Sequence, residues 1–407
     1  MTMGVGESSL SAELDKIVNQ REGVSPITNT EREARIARLQ TLMLERGVDA
    51  VYLDASTSLY YFTGLKSRPS ERLHGAIVPA RGALRYICPQ FEVEKTAAMV
   101  GLPGEICGWE EHEDPTELVI DLARTHGAAS GTLAVDEVTP FFTFDGLRRA
   151  GNHFDFVNAS DLTGACRMFK SSAELALMQR AKDITLEIHK ATARGLQEGL
   201  STDEVHAFIA AAHRKAGVDG PMSFSIVLFG EPTAYPHGVP YPQTLKEGDM
   251  VLIDVGATIE GYHSDITRSY VFGEPTARQR EVWELEKAAQ AAAFAAAQVG
   301  VPCEAVDAAA RKVIEAGGFG PGYAVPGLPH RTGHGIGLDV HEWTYLVKGN
   351  KTPLAPGMCF SNEPMICIYG EFGVRLEDHF YMTEDGPRWF TQPCLSADDP
   401  FAYGSAA

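Results

Sequence analysis

Residues 254–270, DVGATIEGYHSDITRSY, decide how the second half of the chain folds. The apolar run Met250-Val251-Leu252-Ile253 leads straight into Asp254, and 248–257 and 264–272 both read as strands, with a turn at Glu260-Gly261 between them. Two strands joined by that turn place Asp254 and Asp265 on one face near one point. The plainer reading is that Asp254 ends a strand and Asp265 caps a turn. A carboxylate that follows such an apolar run is expected to be buried, which is costly unless it is paired or metal-bound.

Three further stretches supply donors of the same kind. HRTGHGIGLDVHE (330–342) holds His330, His334 and His341 at H-x3-H-x6-H among glycines that allow close backbone approach; FSNEPM (360–365) holds Glu363; GVRLEDHF (373–380) holds Glu377. Asp254, Asp265, His334, Glu363 and Glu377 form a set of four carboxylates and one imidazole, suited to Mn²⁺ first, with Co²⁺ or Zn²⁺ as alternatives. Five ligands exceed what one ion takes when a position stays open for water. They suit two ions sharing bridging carboxylates, about 3.5–4 Å apart, a site for metal-assisted hydrolysis. Glu363 doubles as a candidate proton acceptor. His341 and His237, the latter in the proline-bounded loop AYPHGVP, are candidate catalytic histidines able to donate to a carbonyl oxygen or a leaving nitrogen. Arg375 shares a strand face with Glu377 and is a candidate to hold a ligand carboxylate in place; His330 is a further substrate-side candidate.

The bulk properties agree with a globular enzyme. The chain has 407 residues, 44% of them hydrophobic, which fits two or three domains and a sizeable core. A net charge of −19 with scattered basic residues argues against nucleic acid or an anionic membrane as partner. No secretory signal is legible at the N-terminus, and the seven cysteines form no CxxC pair, so reduced thiols in the cytoplasm are expected. Cys359 and Cys367 flank Glu363 and are read as buried core residues.

Residues 1–27 are expected to form a loose arm. Thr30 and Glu33 suggest a capping box ahead of an amphipathic helix that Gly47 stops. Short strands at 50–53, 75–79, 84–88, 132–136 and 154–158 and a helix over 115–126 indicate an α/β domain over 1–165. From 166 onward the pattern is α+β. Ser171 with Glu174 and Ser201 with Glu204 cap two helices, and alanine-rich helices follow at 276–299 and 303–316.

At these motifs the chain resembles the pita-bread metallopeptidases, which include Xaa-Pro dipeptidase (prolidase), aminopeptidase P and methionine aminopeptidase. The resemblance is strongest to bacterial Xaa-Pro dipeptidases, through 330–350 and the tail GPRWFTQPCLSADDPF. It implies a creatinase-type N-terminal α/β domain over 1–165 and a pita-bread catalytic domain over 166–407, in a homodimer. It places Asp254, Asp265, His334, Glu363 and Glu377 on the family's ligand positions and His237 and His341 on its two catalytic histidines. The implied reaction is hydrolysis of an Xaa-Pro bond by a hydroxide bridging two metal ions. Dimethylsulfoniopropionate lysis, a catalytically silent binding protein and aminopeptidase P activity are the alternatives on the same fold. A dipeptidase also needs a cation for the free carboxylate of its substrate, and Arg331, Lys348 and Lys351 are all candidates.

Overall fold

The computed structural model describes residues 1–124 and 130–403. The chain divides into two compact units, Ile27–Arg167 and Met1–Pro26 together with Met168–Ala407. Residues 1–26 therefore differ from the expected loose arm of an N-terminal domain: they pack with the second unit. Val5 is their one buried apolar side chain, and much of what holds them is polar, so they gave little hydrophobic signal. Thr2 and Gly6 donate backbone N–H groups to Gly273 O and Ala193 O at 2.8 and 2.9 Å. The fully buried Glu13, on the short helix Leu10–Lys16, pairs with Lys16 at 2.6 Å and Arg194 at 2.7 Å.

The unit Ile27–Arg167 is built on a six-stranded sheet, in the order Glu105–Trp109, Arg85–Pro89, Gly75–Pro79, Ala50–Leu53, Gly131–Val135, Phe154–Asn158. The strand Ala50–Leu53 runs parallel to Gly131–Val135 and antiparallel to Gly75–Pro79, and Gly131–Val135 runs parallel to Phe154–Asn158. Tyr52, Ile77, Ile87, Val119, Leu133 and Leu147 fill its core. The edge strand Glu105–Trp109 escaped the sequence reading because only Trp109 in it is buried, so its pattern does not alternate. The helix Pro115–Arg124 begins where expected, and positions 125–126 of the predicted span lie outside the described residues. The helix Asn29–Arg46 starts earlier than expected. Thr28, not Thr30, is its N-cap and accepts from Glu31 N at 3.2 Å, while Arg32 of the added turn donates to Ile27 O at 2.7 Å. Gly47 ends it at φ +67°, a conformation glycine adopts without strain.

In the other unit the expected capping boxes hold. Ser171 with Glu174 opens Ser172–Gly195, and Ser201 with Glu204 opens Thr202–Ala216. The strands form a three-stranded antiparallel sheet (Phe224–Phe229, Met250–Gly256, Ile266–Val271), a two-stranded one (Met365–Ile368 with Phe372–Arg375), and a five-stranded one ordered Glu342–Leu346, Gly333–Gly335, Cys359–Asn362, Asp378–Thr383, Gly386–Trp389. The helices Ala277–Ala296 and Cys303–Ala316 share one core with these sheets, through Val282, Trp283, Val306, Ile314, Phe360 and Phe380. Each such fully buried side chain contributes about 1.5–3 kcal/mol. All seven residues of Met250–Gly256 are buried, which is why that segment reads as a continuous apolar run.

Candidate metal centre

Residues 250–271 form a hairpin. Met250–Gly256 pairs antiparallel with Ile266–Val271, Asp254 standing opposite Thr267. Its tip is the ladder of Thr258–Ile259 with Tyr262–His263, closed by Glu260 at φ +52° and Gly261 at φ +83°. Positive φ at both central residues gives the turn whose twist matches the strands. Gly261 adopts this freely, and Glu260 is anchored there by an ion pair with Arg21. Asp254 and Asp265 thus return to one place, both buried. Asp254 Oδ2 accepts from Arg375 Nη2 at 2.6 Å, while Asp254 Oδ1 and Asp265 Oδ1 have no hydrogen-bond partner.

His334 enters on the strand Gly333–Gly335. A Cβ on Gly333 would come within 2.1 Å of Ser361 O and one on Gly335 within 2.6 Å of Glu342 O, so both neighbouring strands lie too close for any other residue. Its Nδ1 lies 3.0 Å from Gly335 O, which leaves Nε2 facing the acidic groups: 3.1 Å from Glu363 Oε1 and 3.5 Å from Asp265 Oδ2. Ligand atoms of Asp265, His334 and Glu377 all lie within 4.8 Å of one another. Glu377 Oε2 accepts from Thr267 Oγ1 at 2.7 Å, and its Oε1 is another orphan. Glu363 Oε1 also accepts from Ser361 Oγ at 3.1 Å.

The electrostatics are those of a centre that attracts positive charge. Burial, then repulsion from Asp265 and Glu363, pushes Asp254 and Glu377 well above the usual carboxylate range, with Arg375 opposing. Burial alone would raise Glu363, but the hydrogen bond and charge of His334 hold it below that range. Burial alone would lower His334, yet its bonds to Asp265 and Glu363 carry it up to about 10. A protein interior rarely leaves buried carboxylate oxygens unpaired. Three orphans on Asp254, Asp265 and Glu377, beside an imidazole, have the chemistry of a divalent-metal donor set.

The other expected residues fall around this centre unequally. The His341 ring lies 4.1 Å from that of His334, and the residue is exposed; burial of the ring's inner side, then the His334 charge, lowers its basicity. Arg375 is fully engaged, donating to Asp254, to Thr267 Oγ1 at 3.1 Å and to Pro236 O at 3.0 Å. His330 turns Nδ1 towards Arg331 O at 2.7 Å, and its buried Nε2 has no partner. His237 is exposed and makes no hydrogen bond or ion pair among the described residues; only its neighbour Pro236 ties that loop to Arg375. Cys359 and Cys367 are buried, and burial pushes both thiols up to about 12, so they stay protonated.

Three contributors escaped the sequence reading. Thr267, which bridges Arg375 and Glu377, sits two residues after Asp265, where the period of a strand could have flagged it. Arg268 donates to Glu377 O and pairs with the buried Asp378, each at 2.8 Å, fixing the backbone under that candidate ligand. His379 is fully buried, with Nε2 3.8 Å from Glu377 Oε1 and neither ring nitrogen hydrogen-bonded; it sits two residues after Glu377, where the same strand period could have flagged it.

Comparison with known proteins agrees with this geometry. The model of metallopeptidase family M24 matches residues 176–384, and that of the creatinase/prolidase N-terminal domain matches 35–169. The chain belongs to metallopeptidase family M24. The expected pita-bread fold with a creatinase-type N-terminal domain therefore holds. The Xaa-Pro dipeptidase of Lactobacillus delbrueckii subsp. lactis is 32% identical over 369 residues, covering 87% of this chain and 95% of that one. Among solved structures, dipeptidase PepE from Mycobacterium ulcerans superposes with a TM-score of 0.84 at 32% identity, covering 90% of this chain and 97% of that one. The recombinant prolidase from Thermococcus sibiricus gives 0.81 at 30% identity, over 88% and 96%. Among the described residues no helix is long and apolar enough to cross a membrane.

Proposed function

We propose that this M24 protein hydrolyses Xaa-Pro bonds in dipeptides, using two divalent ions, Mn²⁺ first and Co²⁺ or Zn²⁺ as alternatives, held by Asp254, Asp265, His334, Glu363 and Glu377. The observation that carries the reading is the convergence of Asp265, His334 and Glu377 within 4.8 Å, with orphaned oxygens on Asp265 and Glu377. When bound, divalent ions supply Lewis-acid polarisation of the carbonyl and activation of the attacking water. The chain's own groups do the rest. His334 and Ser361 occupy Glu363 Oε1, leaving Oε2 to take the proton of the attacking water. His341, beside His334, and His237, on the exposed loop, donate to the carbonyl oxygen and the leaving nitrogen. Arg375 orients Asp254 directly and Glu377 through Thr267, and His330 lines the substrate side. In this reading the chemistry resides in 166–407, the substrate is a small peptide, and the enzyme is a cytoplasmic homodimer.

A substrate panel on metal-reconstituted protein tests this: Xaa-Pro dipeptides, Xaa-Pro-Yaa tripeptides and dimethylsulfoniopropionate. Proline release from the dipeptides is expected. Exclusive turnover of tripeptides would reassign the chain to aminopeptidase P chemistry, and dimethylsulfide release would reassign it to a lyase. The names of the relatives favour the dipeptidase, and retention of all five donors argues against a catalytically silent binding protein.

A further inference from the structure

Hydrolysis of a dipeptide brings a free carboxylate to within one residue of the scissile carbonyl, about 3.8 Å of chain. A carboxylate entering a centre that already gathers four others needs a cation to receive it. The sequence left Arg331, Lys348 and Lys351 open, and the structure separates them. Lys351 is paired with Glu304, and its side chain is 76% exposed. Lys348 lies beyond the end of the strand Glu342–Leu346, exposed. The buried cations beside the candidate ligands are already engaged: Arg375 with Asp254, Lys170 with Glu342 at 2.8 Å, Arg268 with Asp378 at 2.8 Å, and Lys182 with His263 O at 2.9 Å. Arg311 is likewise occupied, by Asp307 and by the carbonyls of Gly322, Leu328 and His330.

Arg331 differs from all of these. Its Cζ lies 4.2 Å from the centroid of the Tyr345 ring, and its guanidinium makes no hydrogen bond or ion pair among the described residues. Tyr345 is the residue directly opposite His334 in the ladder of Gly333–Gly335 with Glu342–Leu346. Directly opposed residues of an antiparallel pair project from the same face, about 4.5–5.5 Å apart at Cβ. The guanidinium therefore sits on the His334 side of the sheet, one side chain away from the candidate metal centre, while the His341 ring lies 4.1 Å from His334. Stacking covers one face of the guanidinium and leaves its N–H edge free, the fork that fits a carboxylate. Trp343, half-exposed with its ring 5.0 Å from that of Tyr345, adds an apolar surface beside that fork, suited to a pyrrolidine ring.

We propose that Arg331, held over the Tyr345 ring, receives the C-terminal carboxylate of the substrate and selects dipeptides over chains that are longer or blocked at that end. This rests on the Xaa-Pro reading above and names the residue that determines its specificity. Arg331 and Tyr345 lie outside both the five candidate ligands and the two candidate catalytic histidines, and their part is recognition rather than chemistry.

The test compares kcat/KM for Ala-Pro and for Ala-Pro amide, which lacks the carboxylate charge, in metal-reconstituted full-length protein. Wild type is expected to prefer the free acid. Arg331→Gln is expected to lower kcat/KM on the acid by about tenfold to hundredfold, mainly through KM, so that the acid-to-amide ratio collapses. Arg331→Lys keeps the charge without the fork and recovers part of the ratio; Tyr345→Phe keeps the stacking face and the preference. Loss on both substrates in equal proportion, or an acid-to-amide ratio unchanged in Arg331→Gln while wild type cleaves Ala-Pro, overturns the Arg331 assignment alone. Wild type that cleaves no Xaa-Pro substrate overturns the Xaa-Pro reading, and this assignment with it. Melting curves and bound-metal content of Arg331→Gln and Arg331→Lys check that each variant is folded and loaded.

Discussion

Arg375 Nη2 lies 2.6 Å from Asp254 Oδ2, a buried charge pair that leaves the other oxygen of the aspartate unpartnered and free to bind a cation. The same guanidinium donates to Thr267 Oγ1, which in turn donates to Glu377 Oε2, so one arginine orients two candidate ligands on different strands. Arg375→Lys keeps the charge but cannot reach Asp254, Thr267 and Pro236 O together. Metal affinity measured by calorimetry on chelated protein is expected to fall about tenfold to hundredfold, the usual cost of losing such an outer partner. Wild-type affinity in this variant would mean that Asp254 needs no orienting group.

Asp265→Ala and Glu363→Ala are expected to abolish activity while the protein stays folded. Each removes a carboxylate from a cluster of like charges, and the repulsion relieved in the metal-free state offsets the loss of one partner of His334. Turnover assays paired with circular dichroism check both halves of that outcome. Wild-type turnover in either variant would remove the metal-hydrolase reading.

Exhaustive chelation is expected to inactivate the enzyme, and Mn²⁺ or Co²⁺ to restore it. Metal should also stabilise the unit that carries the site, because only the folded chain brings Asp265, His334 and Glu377 together. An ion present at about 100 times its Kd adds roughly 2.7 kcal/mol. Thermal melts with and without added metal measure this directly. A melting temperature unmoved by a divalent ion would show that these orphaned oxygens bind none.

Much of the candidate site is legible in the residues because gathering carboxylates inside a core forces unusual patterns. An apolar run that ends in Asp254 signals a buried charge, and glycines on both sides of His334 signal strands packed close around it. The capping boxes at Ser171 and Ser201 fix two helix starts for a local reason, since each box is complete within four residues. The N-terminal arm, the edge strand Glu105–Trp109 and the start of the first long helix are not legible in this way, for a common reason. Polar anchoring through Glu13, half-exposed edges and overlapping Thr-x-x-Glu patterns carry no hydrophobic period. Thr267 and Arg268 hide behind Asp265, since their roles exist only once Arg375, Glu377 and Asp378 arrive from more than a hundred residues away. Choosing Arg331 over Lys348 and Lys351 likewise requires the register that sets Tyr345 opposite His334.

Acid sensitivity offers a last test, away from the candidate ligands. His213, on the helix Thr202–Ala216, is fully buried, with Nδ1 3.0 Å from Ile209 O and Nε2 3.3 Å from Thr185 Oγ1. Burial, opposed by the Ile209 bond, lowers its pKa from 6.5 to about 4. Above pH 6.5 the ring is neutral whether the chain is folded or not, and stability is unaffected. Between about 6.5 and 4 the unfolded chain takes up a proton that the folded chain refuses, so stability falls as pH falls, and below about 4 this contribution levels off. At 1.36 kcal/mol per unit the loss is of order 3 kcal/mol. His213→Gln removes the titration while retaining an amide able to bond nearby, so its urea midpoint, measured with chelator present, should decline less steeply than wild type over that window. Parallel slopes for the two proteins would place the acid sensitivity elsewhere, with the buried His189 as the next group to replace.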